Sequence, residues 1–200
     1  MSIVQLPIFW RSKRTTTNRE EEDTMKVDTQ KIVNFAIEGV EKFLQENPEL
    51  TYYAFAFDCN AEYAEINLCV NTKKAFAETL AYYQNGKYAE NYQTEEEIQE
   101  LKYNTGDWKY QCFDTFYVFS EEELTAIFNK IYPNEVEDDY QAWEIYVNEL
   151  LAAFTESIIK FSETKTFEKI NKTADFKFFC IDHDEEVADS MTRMKLLQEK

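Results

Sequence analysis

The residues best placed to do chemistry lie near the C-terminus, where Asp182-His183-Asp184 holds the single histidine of the chain. A histidine between carboxylates can act as a general base or a metal ligand. The preceding segment, 175–182, reads as a strand, and neighbouring side chains on a strand point to opposite faces. On that geometry Asp182 and Asp184 share a side and His183 points away. Asp58 ends a second strand-like run. If the two strands lie side by side, Asp58, Asp182 and Asp184 form a carboxylate cluster suited to a hydrolase-like or metal-dependent enzyme. A solvated strand end is the simpler reading. Other carboxylates are plentiful: Glu121 to Glu123, Glu135 with Glu137, Asp138 and Asp139, and the pair Glu185-Glu186. That abundance weakens each as a general acid or base, because any acidic surface yields such pairs. No Ser or Cys sits in a recognisable elbow beside an activating base. The four cysteines (Cys59, Cys69, Cys112 and Cys180) lie in or beside strand-like segments rather than in metal-type pairs. They suit small buried hydrophobes in a reducing compartment. Trp108, Tyr110, Trp143 and Tyr146 could stack on a ligand, yet aromatics at these spacings usually make core. No catalytic residue, metal site or cofactor is assigned.

Charge is the strongest compositional signal. The formal net charge is -18 over 200 residues, and it is unevenly spread. Arg11, Lys13, Arg14 and Arg19 are cancelled by Glu20, Glu21, Glu22 and Asp23, so residues 25–200 carry all of it. Such a surface repels nucleic acid and anionic membranes and attracts basic proteins. Solubility alone also accounts for it. The 3 glycines, Gly39, Gly86 and Gly106, are isolated, which excludes glycine-rich phosphate loops and dinucleotide fingerprints. No segment is long and apolar enough to span a membrane. The apolar run 3–10 precedes its basic residues, the reverse of a secretory signal. A cytoplasmic protein with neither nucleic acid nor membrane as partner is expected.

The elements that must position these residues are organised around 49–85. Thr51 to Phe57 alternates large with small, and Tyr63 to Val70 alternates apolar with polar, so both predict strands. A turn at Asn60-Ala61 places Phe57 opposite Ala64, Phe55 opposite Ile66 and Tyr53 opposite Leu68. One face is then wholly apolar, and a slip of one residue would destroy the sorting. The same register sets Cys69 opposite Tyr52, roughly 20 Å from Cys59 at about 3.3 Å per residue, too far for a disulfide. Asn71-Thr72 closes the second strand and starts a helix with Phe76, Leu80 and Tyr83 along one stripe. Before this unit, Asp28 or Thr29 caps a helix to about Glu46. After it, Thr94 with Glu97 and Ser120 with Glu123 form capping boxes for two further helices. A long helix is expected over 137–161 and a terminal amphipathic helix over 185–198. Residues 108–119 fit either a strand or an aromatic loop plugging the core. Residues 1–26 show no periodicity and predict a disordered tail, with Met25 an alternative start. Residues 27–200 predict a single α+β domain: an antiparallel sheet built on a central β-hairpin and packed against several amphipathic helices.

Tyr53-Ala54-Phe55-Ala56-Phe57, the second strand running into Val70-Asn71-Thr72, and Asp107-Trp108-Lys109-Tyr110 followed by 113–119 resemble the bacterial domain-of-unknown-function family 4303 over 28–198. The resemblance carries no catalytic residues across. It implies small bacterial cytoplasmic proteins, some encoded beside secreted toxins. The expected function is a non-enzymatic acidic binding protein, an immunity-type partner of a basic toxin domain, using Glu135, Glu137, Asp138, Asp139, Asp182, Asp184, Glu185 and Glu186. The alternatives are an enzyme using Asp58, Asp182 and Asp184, and a regulatory adaptor.

Overall fold

The computed structural model describes residues 27–132, 140–183 and 185–199. The expected tail, the acidic residues Glu135 and Glu137 to Asp139, and Asp184 lie outside the described residues. The first helix, α1 (Thr29–Glu46), is capped by Asp28, whose carboxylate accepts from the Gln30 and Lys31 N–H groups. It buries Ile32, Ala36, Val40 and Phe43 at three- and four-residue steps. There follow β1 (Tyr52–Asn60), β2 (Glu65–Thr72), α2 (Lys73–Asn85), α3 (Glu95–Tyr103), β3 (Tyr110–Tyr117) and α4 (Glu121–Ile131). The chain ends with α5 (Tyr140–Ser162), α6 (Lys165–Lys169), β4 (Lys172–Asp182) and α7 (Val187–Gln198). The architecture is α+β, with one four-stranded sheet in the order β3-β2-β1-β4.

The central hairpin forms with a different register from the one expected. Phe57 faces Leu68, Phe55 faces Val70 and Cys69 faces Ala56. The turn is the cause. Instead of reversing at Asn60-Ala61, the chain makes a 3-10 turn over Ala61–Tyr63 and leaves it through Ala64 at φ 52, in the left-handed region. That moves the partners by four residues. Four is even, so Phe55, Phe57, Ile66 and Leu68 stay on the face expected of them; Tyr53, expected on the same face, does not. The sheet is also mixed: β1 pairs antiparallel with β2 and parallel with β4, setting Phe57 beside Cys180 and Asp58 beside Ile181.

Alternation along β1 sends Phe55 and Phe57 to one face, where both rings pack on Phe161 of α5. Helix α1 lies on this side too, because a Cβ on Gly39 would come within 2.8 Å of Leu68 Cδ1. A bulge between Tyr52 and Ala54 turns Tyr53 to the other face. There it meets Phe76 of α2, Tyr103 of α3 and Trp108 edge-on. Trp108, just before β3, is 2% exposed, so 108–119 is a plug at its start and an edge strand thereafter. Each fully buried phenylalanine contributes about 1.5–3 kcal/mol through burial. Among the described residues, no helix is long and apolar enough to cross a membrane.

Candidate functional site

The C-terminal end of β4 carries the predicted residues Asp182 and His183. Asp182 is half-buried; its Oδ1 accepts the Ala61 N–H of the hairpin turn at 2.9 Å, and its own N–H donates to Glu185 Oε2 at 3.1 Å. Glu185 pairs with Arg193 of α7, whose Nη2 donates to Glu185 Oε2 at 2.7 Å. The same guanidinium donates to the Cys180 carbonyl and, through Nε, to Thr155 Oγ1 of α5. Asp182 and Glu185 therefore serve the fold: they lock the turn, the strand end and α7 into one corner. Glu186, at the N-cap of α7, makes no side-chain cap bond and is exposed.

The opposite wall is α3. Its start is fixed by the Thr94–Glu97 capping box. Its end is fixed by the Lys102 carbonyl, which accepts from Tyr53 Oη at 2.6 Å and Trp108 Nε1 at 3.0 Å. Glu96, Gln99, Glu100 and Tyr103 recur at helical spacing, so they share the side that looks across to the β4–α7 corner. Between these walls lies a cleft of about 700 Å³. Glu96, Glu100, Asp182, Glu185 and Glu186 line it, against one lysine, Lys177, whose ammonium sits 4.4 Å from the Tyr103 ring centre. Glu96, Glu100 and Glu186 have no ion-pair partner among the described residues.

Asp58 lies beneath this region without lining the cleft. Burial holds its pKa above the ordinary carboxylate value, with Asp182 and Glu65 adding to the rise. The hydrogen bond from Thr105 and the charge of His183 oppose it. The structure thus brings Asp58, Asp182 and His183 into one neighbourhood. Even so, among the described residues no three His, Cys, Asp or Glu side chains are arranged to hold a metal ion.

Residues 32–199 match the family model for a domain of unknown function, DUF4303. The chain belongs to that family. No curated protein and no solved structure matches it. Within this DUF4303 domain the matched span covers both walls of the cleft, from α3 to α7.

Chemically, the cleft presents carboxylates from three elements, with tyrosine faces beside them, to a space open to water. That set suits a guanidinium or ammonium group, which carboxylates pair with and an aromatic face attracts. Of the residues singled out in the sequence, Asp182, Glu185 and Glu186 line the cleft; Glu96, Glu100 and Tyr92 line it too and were not singled out. The run Glu95-Glu96-Glu97 after Thr94 was a visible signal for the helix. Nothing local, however, says that this helix faces the end of β4.

Proposed function

We propose that this protein is a non-enzymatic binding protein that receives a basic polypeptide partner at the α3–α7 cleft. The observation that carries this reading is the convergence of Glu96, Glu100 and Glu186, all exposed and without cation partners among the described residues, on one concave surface. A chain of net charge -18 adds long-range attraction to the same kind of partner. This suits an immunity-type role in the bacterial cytoplasm, masking a basic toxin domain; a regulatory adaptor would use the same surface. The enzyme reading has less support, because Asp182 and Glu185 are committed to internal bonds and Asp58 does not line the cleft. A pull-down from the native host with the full chain tests the proposal, run beside a variant carrying Glu96→Lys, Glu100→Lys and Glu186→Lys. A basic protein retained by the first and lost by the second is expected. A captured partner of neutral or acidic charge, or one held equally by the variant, would contradict it.

A further inference from the structure

The cysteines, scattered in sequence, meet in two pairs, and the pairs differ. Cys59 and Cys180 lie in the core with their Sγ atoms 3.6 Å apart, and both are essentially inaccessible. Cys69 is fully buried on β2, whereas Cys112 on the edge strand β3 is exposed. The β2–β3 ladder runs from Glu65 opposite Tyr117 to Leu68 opposite Asp114 and resumes only at Val70 opposite Tyr110. Opposite Cys69 the edge strand therefore carries extra chain, and Cys112 within it adopts φ 48, a left-handed conformation unfavourable for any residue with a Cβ. That bulge turns the Cys112 N–H onto Cys69 Sγ at 3.2 Å.

We propose that Cys112 and Cys69 form a peroxide-responsive redox pair, in which exposed Cys112 reacts first and buried Cys69 closes a disulfide across the bulge. A pair of this kind needs one accessible thiol that ionises readily and a second thiol within reach to resolve it. The neighbouring Cys69 side chain brings the Cys112 pKa down to about 7, while burial and the charges of Asp58 and Glu65 act against this; Cys69 Sγ itself accepts the Cys112 N–H and lies 3.9 Å from the Asn67 carbonyl oxygen. Burial pushes the Cys59 thiol up, and neither member of that pair is accessible.

The chemistry balances. The Cys112 thiolate attacks one oxygen of a hydroperoxide; the S–O bond forms, the O–O bond breaks, and the departing oxygen leaves as water or alcohol after taking a proton. The Cys69 sulfur then attacks the Cys112 sulfenic acid, the S–S bond forms, the S–O bond breaks, and the Cys69 proton leaves with the hydroxyl as water. A dithiol reverses the sequence. The product ties the edge strand to the central strand where their ladder lapses.

The test treats the reduced full chain with hydrogen peroxide and maps its peptides without reduction. A Cys69–Cys112 link, lighter by two hydrogens and lost on adding dithiothreitol, is expected. In Cys69→Ala, Cys112 should instead be trapped by dimedone as a sulfenic acid, and Cys112→Ser should show neither link nor label. A second measurement uses only native wild-type protein: iodoacetamide should alkylate Cys112 at least about tenfold faster than the buried thiols, as its lower pKa and exposure require. A Cys59–Cys180 link forming first, Cys112 over-oxidised without a link, or equal alkylation rates would each overturn the proposal.

Discussion

Phe55 is fully buried, with ring centres 5.8 Å from Phe57, 5.3 Å from Phe161 and 6.5 Å from Phe167. Phe55→Ala leaves a cavity that strand, long helix and α6 must share, so it should cost about 3–5 kcal/mol in denaturant unfolding. A loss below about 1 kcal/mol would mean that this face does not form the core. Asp58 makes the opposite case, since its burial favours the neutral acid. Between the unfolded pKa of 3.8 and the raised folded value, the folded state holds a proton that the unfolded chain has released. Stability therefore falls as pH rises through that window, and the penalty persists at neutral pH. Asp58→Asn, which keeps an acceptor for Thr105, should be more stable than wild type at neutral pH, with the advantage vanishing below pH 3.8. Urea unfolding across that range measures it; a difference independent of pH would contradict the assignment.

Among the elements, those set by neighbouring residues were legible. Asp28, Thr72, Thr94 and Ser120 all cap the helices their positions predicted, because a cap and its N–H partners lie within three residues of one another. The existence of the hairpin and the sidedness of Phe55, Phe57, Ile66 and Leu68 were legible from alternation, but its register and the bulge that turns Tyr53 over were not. The register depends on Ala64 adopting a left-handed conformation in the turn, which an alanine does not advertise. The parallel pairing of β4 with β1 was also hidden, since it joins residues more than a hundred positions apart. The candidate site divides in the same way: the β4 end was readable, whereas the α3 wall depended on that unseen pairing and on a tyrosine–tryptophan anchor. Gly39 reports on another contact of this kind. A Cβ there would meet Leu68 Cδ1 at 2.8 Å and Asp114 Oδ2 at 2.9 Å, and Leu68 is fully enclosed. Gly39→Ala should therefore destabilise by about 1–3 kcal/mol despite the better helix propensity of alanine. A stabilised variant in thermal unfolding would show that α1 sits farther from the sheet.

At the scale of the whole molecule, the net charge of -18 and the acidic cleft both support the proposed basic partner. Fields from exposed carboxylates act over about 8 Å at physiological salt, so they guide the approach of a partner more than they hold it. For the proposed complex, close contacts in the cleft would govern release. The most direct measurement is the association rate of the captured partner at several salt concentrations, for wild type and for the Glu96→Lys, Glu100→Lys, Glu186→Lys variant. The acidic cleft predicts a wild-type association rate that falls steeply with salt while dissociation changes little. It also predicts a variant, folded by circular dichroism, that associates at least about tenfold more slowly at low salt. Rates equal in the two proteins, or a wild-type rate indifferent to salt, would contradict binding of a basic partner at this cleft.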